Sequence, residues 1–113
     1  MLARANRVVR PDDFRTVVRR GRRTATGLAV YYCIKRDPAQ PARFGFIVSR
    51  AVGGAVERNR VRRRMRAVAR ELVDAGATGS DVVVRALPGS AQADWATVSA
   101  DVHTALDPRL IPS

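Results

Sequence analysis

Between residues 55 and 75 the apolar side chains recur at helical spacing. Wound at roughly 100° per residue, Val61, Met65, Val68 and Leu72 fall on one narrow stripe. A long helix is expected from about Ala55 to Ala75, entered through Gly53-Gly54 and closed by Gly76 and Gly79. Upstream the period changes. From residue 24 to residue 35, Leu28, Val30, Tyr32 and Ile34 alternate with Ala29, Tyr31, Cys33 and Lys35, so both faces of the strand are fairly apolar; this first strand region is also open to being split. Phe44, Phe46 and Val48 mark one face of a second strand from Phe44 to Arg50. The intervening loop, Asp37-Pro38-Ala39-Gln40-Pro41, predicts that the two strands pair as an antiparallel hairpin. Pro11-Asp12-Asp13 opens a short helix with Phe14, Val17 and Val18 on its apolar face, and Gly21 ends it. A third strand spans Asp81 to Leu87. After Pro88-Gly89-Ser90, a last helix from about Gln92 to Leu106 carries Trp95, Val98, Val102 and Leu106 on one side.

The order is thus helix, strand, strand, helix, strand, helix, without repeats or a long linker. In 113 residues this reads as a single α+β domain over 1–113, a two-layer α/β sandwich with helices on one small sheet. Residues 1–10 are expected to form an extended basic arm and residues 108–113 a tail.

Charge changes the picture from fold to partner. Twenty-one basic residues against ten acidic ones give a net charge of +11. Such an excess repels itself in a compact state unless a polyanion neutralises it. All the basic residues but Lys35 are arginine, whose planar fork suits phosphate and stacks on bases; abundant Ala and Val also fit a GC-rich genome. The excess is concentrated in Glu57-Arg58-Asn59-Arg60-Val61-Arg62-Arg63-Arg64-Met65-Arg66. Asn59, Arg63, Arg66 and Arg70 lie opposite the apolar stripe, flanked by Arg60, Arg62 and Arg64. Like charges three and four residues apart on a helix repel, and only Glu57, Glu71 and Asp74 stand near. A helix serving structure alone mixes its signs more evenly, so this face points to nucleic acid.

Other chemistry is sparse. Cys33 is the one cysteine, which excludes an internal disulfide, and it sits in an apolar run. Arg4, Arg7 and Arg10 are not followed by the apolar stretch of a secretory signal, and no segment approaches membrane-spanning length. A soluble cytoplasmic protein with no membrane association is expected. The carboxylates Asp12, Asp13, Asp37, Asp74, Asp81, Asp94, Asp101 and Asp107 form no repeated motif, and His103 is the only histidine. Autonomous nuclease chemistry has no readable constellation here.

The run Phe46-Ile47-Val48-Ser49-Arg50, then Gly53, then Ala55-Val56-Glu57-Arg58-Asn59-Arg60-Val61-Arg62-Arg63 resembles the signature of the bacterial ribonuclease P protein family. Asn6-Arg7, Asp13-Phe14, Gly21, Tyr32 and Asp81-Val82-Val83-Val84-Arg85 extend the resemblance over roughly residues 4 to 107. It implies a fold like the second domain of ribosomal protein S5, with a left-handed β-α-β crossover against the usual rule. It implies a non-catalytic subunit of a ribonucleoprotein. The catalyst is the RNA partner, which with bound Mg²⁺ hydrolyses the bond joining the 5′ leader to precursor tRNA; no obligate protein partner is implied.

Carried over by position, Arg58, Asn59, Arg60, Arg62, Arg63 and Arg66 become contacts to the ribonuclease P RNA. Phe14 and Tyr32 become the lining of a cleft for the single-stranded leader, where stacking is tolerant of sequence. Both also admit a plainer reading as core residues, Tyr32 with its hydroxyl satisfied. The chain departs from the family pattern at Ala51 and Gly54, where a basic or polar residue is usual, and at Val18, where an aromatic is common. A ribosomal or other structured-RNA-binding protein would share the charge and remains the alternative.

Overall fold

The computed structural model describes residues 2–110, with the side chains of residues 108–110 left aside. Seven main elements follow one another: α1 (Pro11–Arg20), β1 (Arg22–Ala25), β2 (Ala29–Lys35), β3 (Arg43–Ile47), α2 (Ala55–Asp74), β4 (Ser80–Ala86) and α3 (Trp95–Leu110). Short 3₁₀ turns at Arg4–Asn6 and Pro88–Ala91 precede α1 and α3.

The four strands lie in the order β1-β2-β4-β3. Here the expectation from sequence fails. β2 and β3 do not form a hairpin, because β4 is inserted between them, antiparallel to β2 and parallel to β3. The hairpin is instead β1 with β2, turning at Thr26-Gly27-Leu28, so the first strand region is split. The Thr26 hydroxyl accepts the Leu28 and Ala29 amides there. β4, with Val82, Val83 and Val84 all buried, is the strand best suited to be covered on both faces and edges. The connection β3-α2-β4 is the one parallel crossover in this sheet.

The strand pleat sorts the core into two. On one face Ala29, Tyr31 and Cys33 of β2 join Val82, Val84 and Ala86 of β4 and Phe44 of β3; the α2 stripe Val61, Met65, Val68 and Leu72 and the α3 residues Val98, Val102 and Leu106 close over them. This is the two-layer sandwich. On the opposite face Val30, Tyr32 and Val83 meet Val17, with Phe14, Val18, Ile47 and Leu87 packed at the margin, and α1 covers only part of it. Trp95 departs from the expected apolar face of the last helix. It is the first residue of α3 and is 41% exposed. That helix also runs on through the start of the expected tail; residues 111–113 lie outside the described residues.

The N-terminal segment is tied to the rest of the domain. Leu2 and Val8 are buried. The Val8 amide donates to the Phe44 carbonyl at 2.9 Å, and the Asn6 side-chain amide donates to the Ala42 carbonyl at 2.8 Å. Arg7 folds back to donate from Nε and Nη2 to the Leu2 carbonyl at 2.9 and 2.7 Å. The segment thereby covers the outer edge of β3, which would otherwise offer unpaired backbone groups.

Two glycines are set by close approach. Gly21 ends α1 with an ordinary extended backbone, φ −69°; a Cβ there would stand 2.4 Å from the Val17 carbonyl oxygen. A Cβ on Gly45 of β3 would meet the Phe14 ring at 2.5 Å. Gly45 is therefore the seat on which Phe14 rests.

Candidate nucleic-acid interface

With its apolar stripe committed to the sheet, α2 turns Asn59, Arg63, Arg66 and Arg70 outward, all exposed, while Arg58, Arg60, Arg62 and Arg64 are half-buried at the flanks. The flanking arginines divide by partner. Arg60 donates from Nη2 to the Ala91 carbonyl at 3.0 Å, and Arg64 donates from Nη1 to the Ala93 carbonyl. These two tie α2 to the segment leading into α3. Arg58 keeps its Nε buried without a hydrogen-bond partner. Arg62 leans along the helix and donates to the Asn59 side-chain oxygen at 3.1 Å.

The electrostatic asymmetry is sharper than the sequence suggests. Arg70 is paired with Asp74 at 3.2 Å. Among the described residues no carboxylate pairs with Arg58, Asn59's neighbour Arg60, Arg62, Arg63 or Arg66. The acids go elsewhere: Asp81 is gripped by Arg43 through a two-pronged contact at 2.7 and 2.8 Å and by Arg36 at 3.1 Å. Glu71 and Asp107 flank His103 at 3.1 and 2.9 Å. Burial pulls the His103 pKa down, but the two carboxylates outweigh it, and the net shift is upward. From Arg58 to Arg66, α2 thus presents a strong excess of positive charge, with Glu57 the one acidic residue of its first turn.

The second feature lies across the sheet. Phe14, Arg15, Val18, Arg19 and Ile47 line an open groove of about 460 Å³ between α1 and β3. Its walls are apolar and its rim is arginine. Phe14 is half-buried and offers part of its ring to this groove. Val18, smaller than an aromatic, widens it.

Of the two readings open for Tyr32, its surroundings match the plainer one. It is only 5% exposed and packs with Val17, Val30 and Val83. Its hydroxyl accepts a hydrogen bond from Arg85 Nη2 at 2.7 Å, and the Arg85 guanidinium carbon lies 5.7 Å from the ring centroid. Tyr32 is a core residue with a satisfied hydroxyl, and the group it holds toward solvent is Arg85. Arg85 is exposed and sits beside Ile47 in the β3–β4 register. Sequence reading named Arg85 and Ile47 only within the family signature and gave neither a role in the cleft. The insertion of β4 between β2 and β3 is what sets Arg85 beside Ile47, which lines the groove.

Among the described residues no three His, Cys, Asp or Glu side chains are grouped so as to hold a metal ion. None of its helices, within the same residues, is long and apolar enough to cross a membrane.

Comparison with known proteins gives one answer. The family model described as Ribonuclease P matches residues 2–108. The chain is 46% identical over 106 residues to the ribonuclease P protein component of Clavibacter michiganensis, covering 94% of each chain. It is 48% identical over 114 residues to that of Streptomyces avermitilis, covering 94% of this chain and 93% of the relative. The fold is similar to the RNase P protein of Staphylococcus aureus, with a TM-score of 0.84 at 21% identity over 96% of this chain and 100% of the other. It is also similar to that of Thermotoga maritima, with a TM-score of 0.79 at 24% identity over 90% and 96%. At those identities the structural likeness speaks for the fold alone, and the sequence matches carry the family. The chain belongs to the ribonuclease P protein family, the protein subunits of a ribonucleoprotein that processes tRNA.

Proposed function

We propose that this protein, acting as one domain, binds a ribonuclease P RNA through the outer face of α2 and steers the 5′ leader of precursor tRNA along the groove between α1 and the sheet. The observation that carries the reading is the cluster Arg58, Arg60, Arg62, Arg63 and Arg66 on α2, with which no carboxylate among the described residues pairs. Arg62, Arg63 and Arg66 supply phosphate contacts, and Asn59 supplies a directed hydrogen bond. Arg58 and Arg60 stand behind them. Arg58 brings a buried Nε still seeking an acceptor, and Arg60 fixes the helix against the Ala91 segment.

In the groove Phe14 gives a sequence-tolerant stacking surface; Arg19, with Arg85 next to Ile47, answers the leader's phosphates, while Arg15 is paired with Asp12. Tyr32 acts as a positioning residue for Arg85. The bond that breaks is the phosphodiester between leader and tRNA. Magnesium, held mainly by the RNA subunit, supplies the Lewis acidity for its hydrolysis. The protein's own residues bind and orient, and the setting is the cytoplasm.

Purified protein is assayed with labelled precursor tRNA and magnesium, with and without a bacterial ribonuclease P RNA, at near-physiological salt. Leader removal is expected only with the RNA, and faster with protein than with RNA alone. Cleavage by the protein by itself, or no stimulation of the RNA, overturns the reading.

A further inference from the structure

The positive surface does not end with α2. Arg4, Arg7 and Arg10 follow one another at every third position of the N-terminal segment, and all three are exposed. Together with Val9, Asp13 and Arg43 they line a groove of about 350 Å³. Val9 is 61% exposed, so the groove has an apolar patch as well as cations. Its one carboxylate, Asp13, faces Arg43 at 3.8 Å. Arg43 is otherwise consumed by Asp81. Among the described residues no carboxylate pairs with Arg4, Arg7 or Arg10.

Two further observations bear on what this groove takes. First, the segment is already ordered. Leu2, Asn6 and Val8 anchor it to β3, and Arg7 braces it internally through the Leu2 carbonyl. Three unneutralised guanidinium groups are thereby held close together before any ligand arrives, a repulsive arrangement in the free protein that an oxyanion relieves. Second, the groove is continuous with the α2 face. Arg7 also lines a neighbouring cavity of about 100 Å³ that Arg66 of α2 lines as well. A backbone running across Arg63 and Arg66 meets Arg7 next.

We propose that the N-terminal segment is a second phosphate-binding site for the ribonuclease P RNA backbone, with Arg4 and Arg10 as its direct contacts and Arg7 as the bridge to the α2 face. This rests on the reading of α2 given above. The shared chemistry is a phosphate oxyanion, and the RNA backbone is the proposed source, because the site continues a surface already turned toward that partner.

The test uses the full-length chain and the salt dependence of its affinity for a bacterial ribonuclease P RNA. Arg4→Ala/Arg10→Ala removes two exposed side chains, so the melting temperature without RNA should be unchanged. Each lost phosphate contact lowers the slope of log K against log salt by about 0.7–0.9. The double variant should therefore lower the slope by roughly one to two. Arg4→Lys/Arg10→Lys, which keeps the charges, should restore it. An unchanged slope for the alanine pair, with a flattened slope for Arg62→Ala/Arg63→Ala/Arg66→Ala, overturns the N-terminal site and leaves α2 standing. Unchanged slopes in both sets overturn both. In a parallel arm, inorganic phosphate is titrated at constant ionic strength. If it raises the melting temperature of the wild type and not of the alanine pair, while the RNA slope stays the same, the groove takes a free anion and the RNA contact is refuted.

Discussion

Replacing Tyr32 by phenylalanine separates two roles that the ring and the hydroxyl play. The hydroxyl accepts from Arg85 at 2.7 Å, while the ring is packed among Val17, Val30 and Val83. Tyr32→Phe keeps the packing and the ring beneath the Arg85 guanidinium. It removes one hydrogen bond to a group that water can also serve, since Arg85 is exposed. The cost in stability is then at the lower end of about 0.5–1.5 kcal/mol. For a chain of this length roughly 4 °C of melting temperature corresponds to 1 kcal/mol, so a fall of about 2–4 °C is expected. Tyr32→Ala is a different experiment. It empties a buried aromatic site at about 3–5 kcal/mol, a large part of a total stability of about 5–15 kcal/mol, and any loss of function would report folding. In the phenylalanine variant the freed Arg85 should weaken binding of leader-bearing precursor tRNA to the assembled enzyme by about two- to fivefold, at 1.4 kcal/mol per tenfold. Mature tRNA and the RNA subunit should bind as before. In an Arg85→Ala background, Tyr32→Phe should add nothing. Equal weakening of mature and precursor tRNA, or full additivity with Arg85→Ala, would refute the claim that Tyr32 works through Arg85.

Three other outcomes are expected. Arg62→Ala/Arg63→Ala/Arg66→Ala should lower the salt slope of RNA-subunit binding by roughly two to three, whereas Arg70→Ala, already paired with Asp74, should change it by less; Asn59→Ala should weaken binding by an amount that persists in high salt. His103 has its pKa raised in the folded state, so its pairs with Glu71 and Asp107 stabilise fully below the unfolded value of about 6.5 and fade as pH rises through the folded value. His103→Ala should accordingly cost about 0.5–1 kcal/mol in denaturant melts near pH 5.5 and almost nothing well above neutrality, and a pH-independent cost would count against it. Asp101 accepts from the Tyr31 hydroxyl at 2.6 Å and from Thr26 at 2.8 Å; burial and then this hydrogen bond raise the Tyr31 pKa. Asp101→Ala should destabilise by about 1–3 kcal/mol by leaving that buried hydroxyl unpaired, the pair Tyr31→Phe/Asp101→Ala should recover part of it, and RNA affinity should not move.

What the sequence disclosed and withheld follows from how far each signal reaches along the chain. The α2 helix was legible because Val61, Met65, Val68 and Leu72 repeat at a local period, and that period also decides which arginines face outward. Strand pairing was not legible. β2 and β4 are apolar on both faces, so their patterns fit either neighbour, and only the long-range insertion of β4 decides. The anchoring of Leu2 and Val8 was hidden by the arginines around them, since two apolar residues six apart have no period. Tyr32 fits either a cleft wall or the core by residue type alone, because residue type does not reveal depth. Its neighbours across β1 and β4, Arg23 and Val83, together with Val17 of α1, bury it and leave Arg85 outside.

The placement of β4 between two strands that precede it also governs the order in which the molecule can come into being. A chain synthesised only as far as α2 has β2 and β3 but no strand to join them, and the apolar stripe of α2 has no continuous sheet to settle on. Ala29 finds its partner only when Ala86 arrives, at the far end of the last strand. Contacts this distant in sequence are slow to close and bring no reward until they do. Nascent fragments ending before residue 80 therefore carry the whole arginine helix without the scaffold that orients it. On the proposed reading such fragments would attract RNA by charge before their arginine face is oriented, and β4 is the last strand the sheet needs.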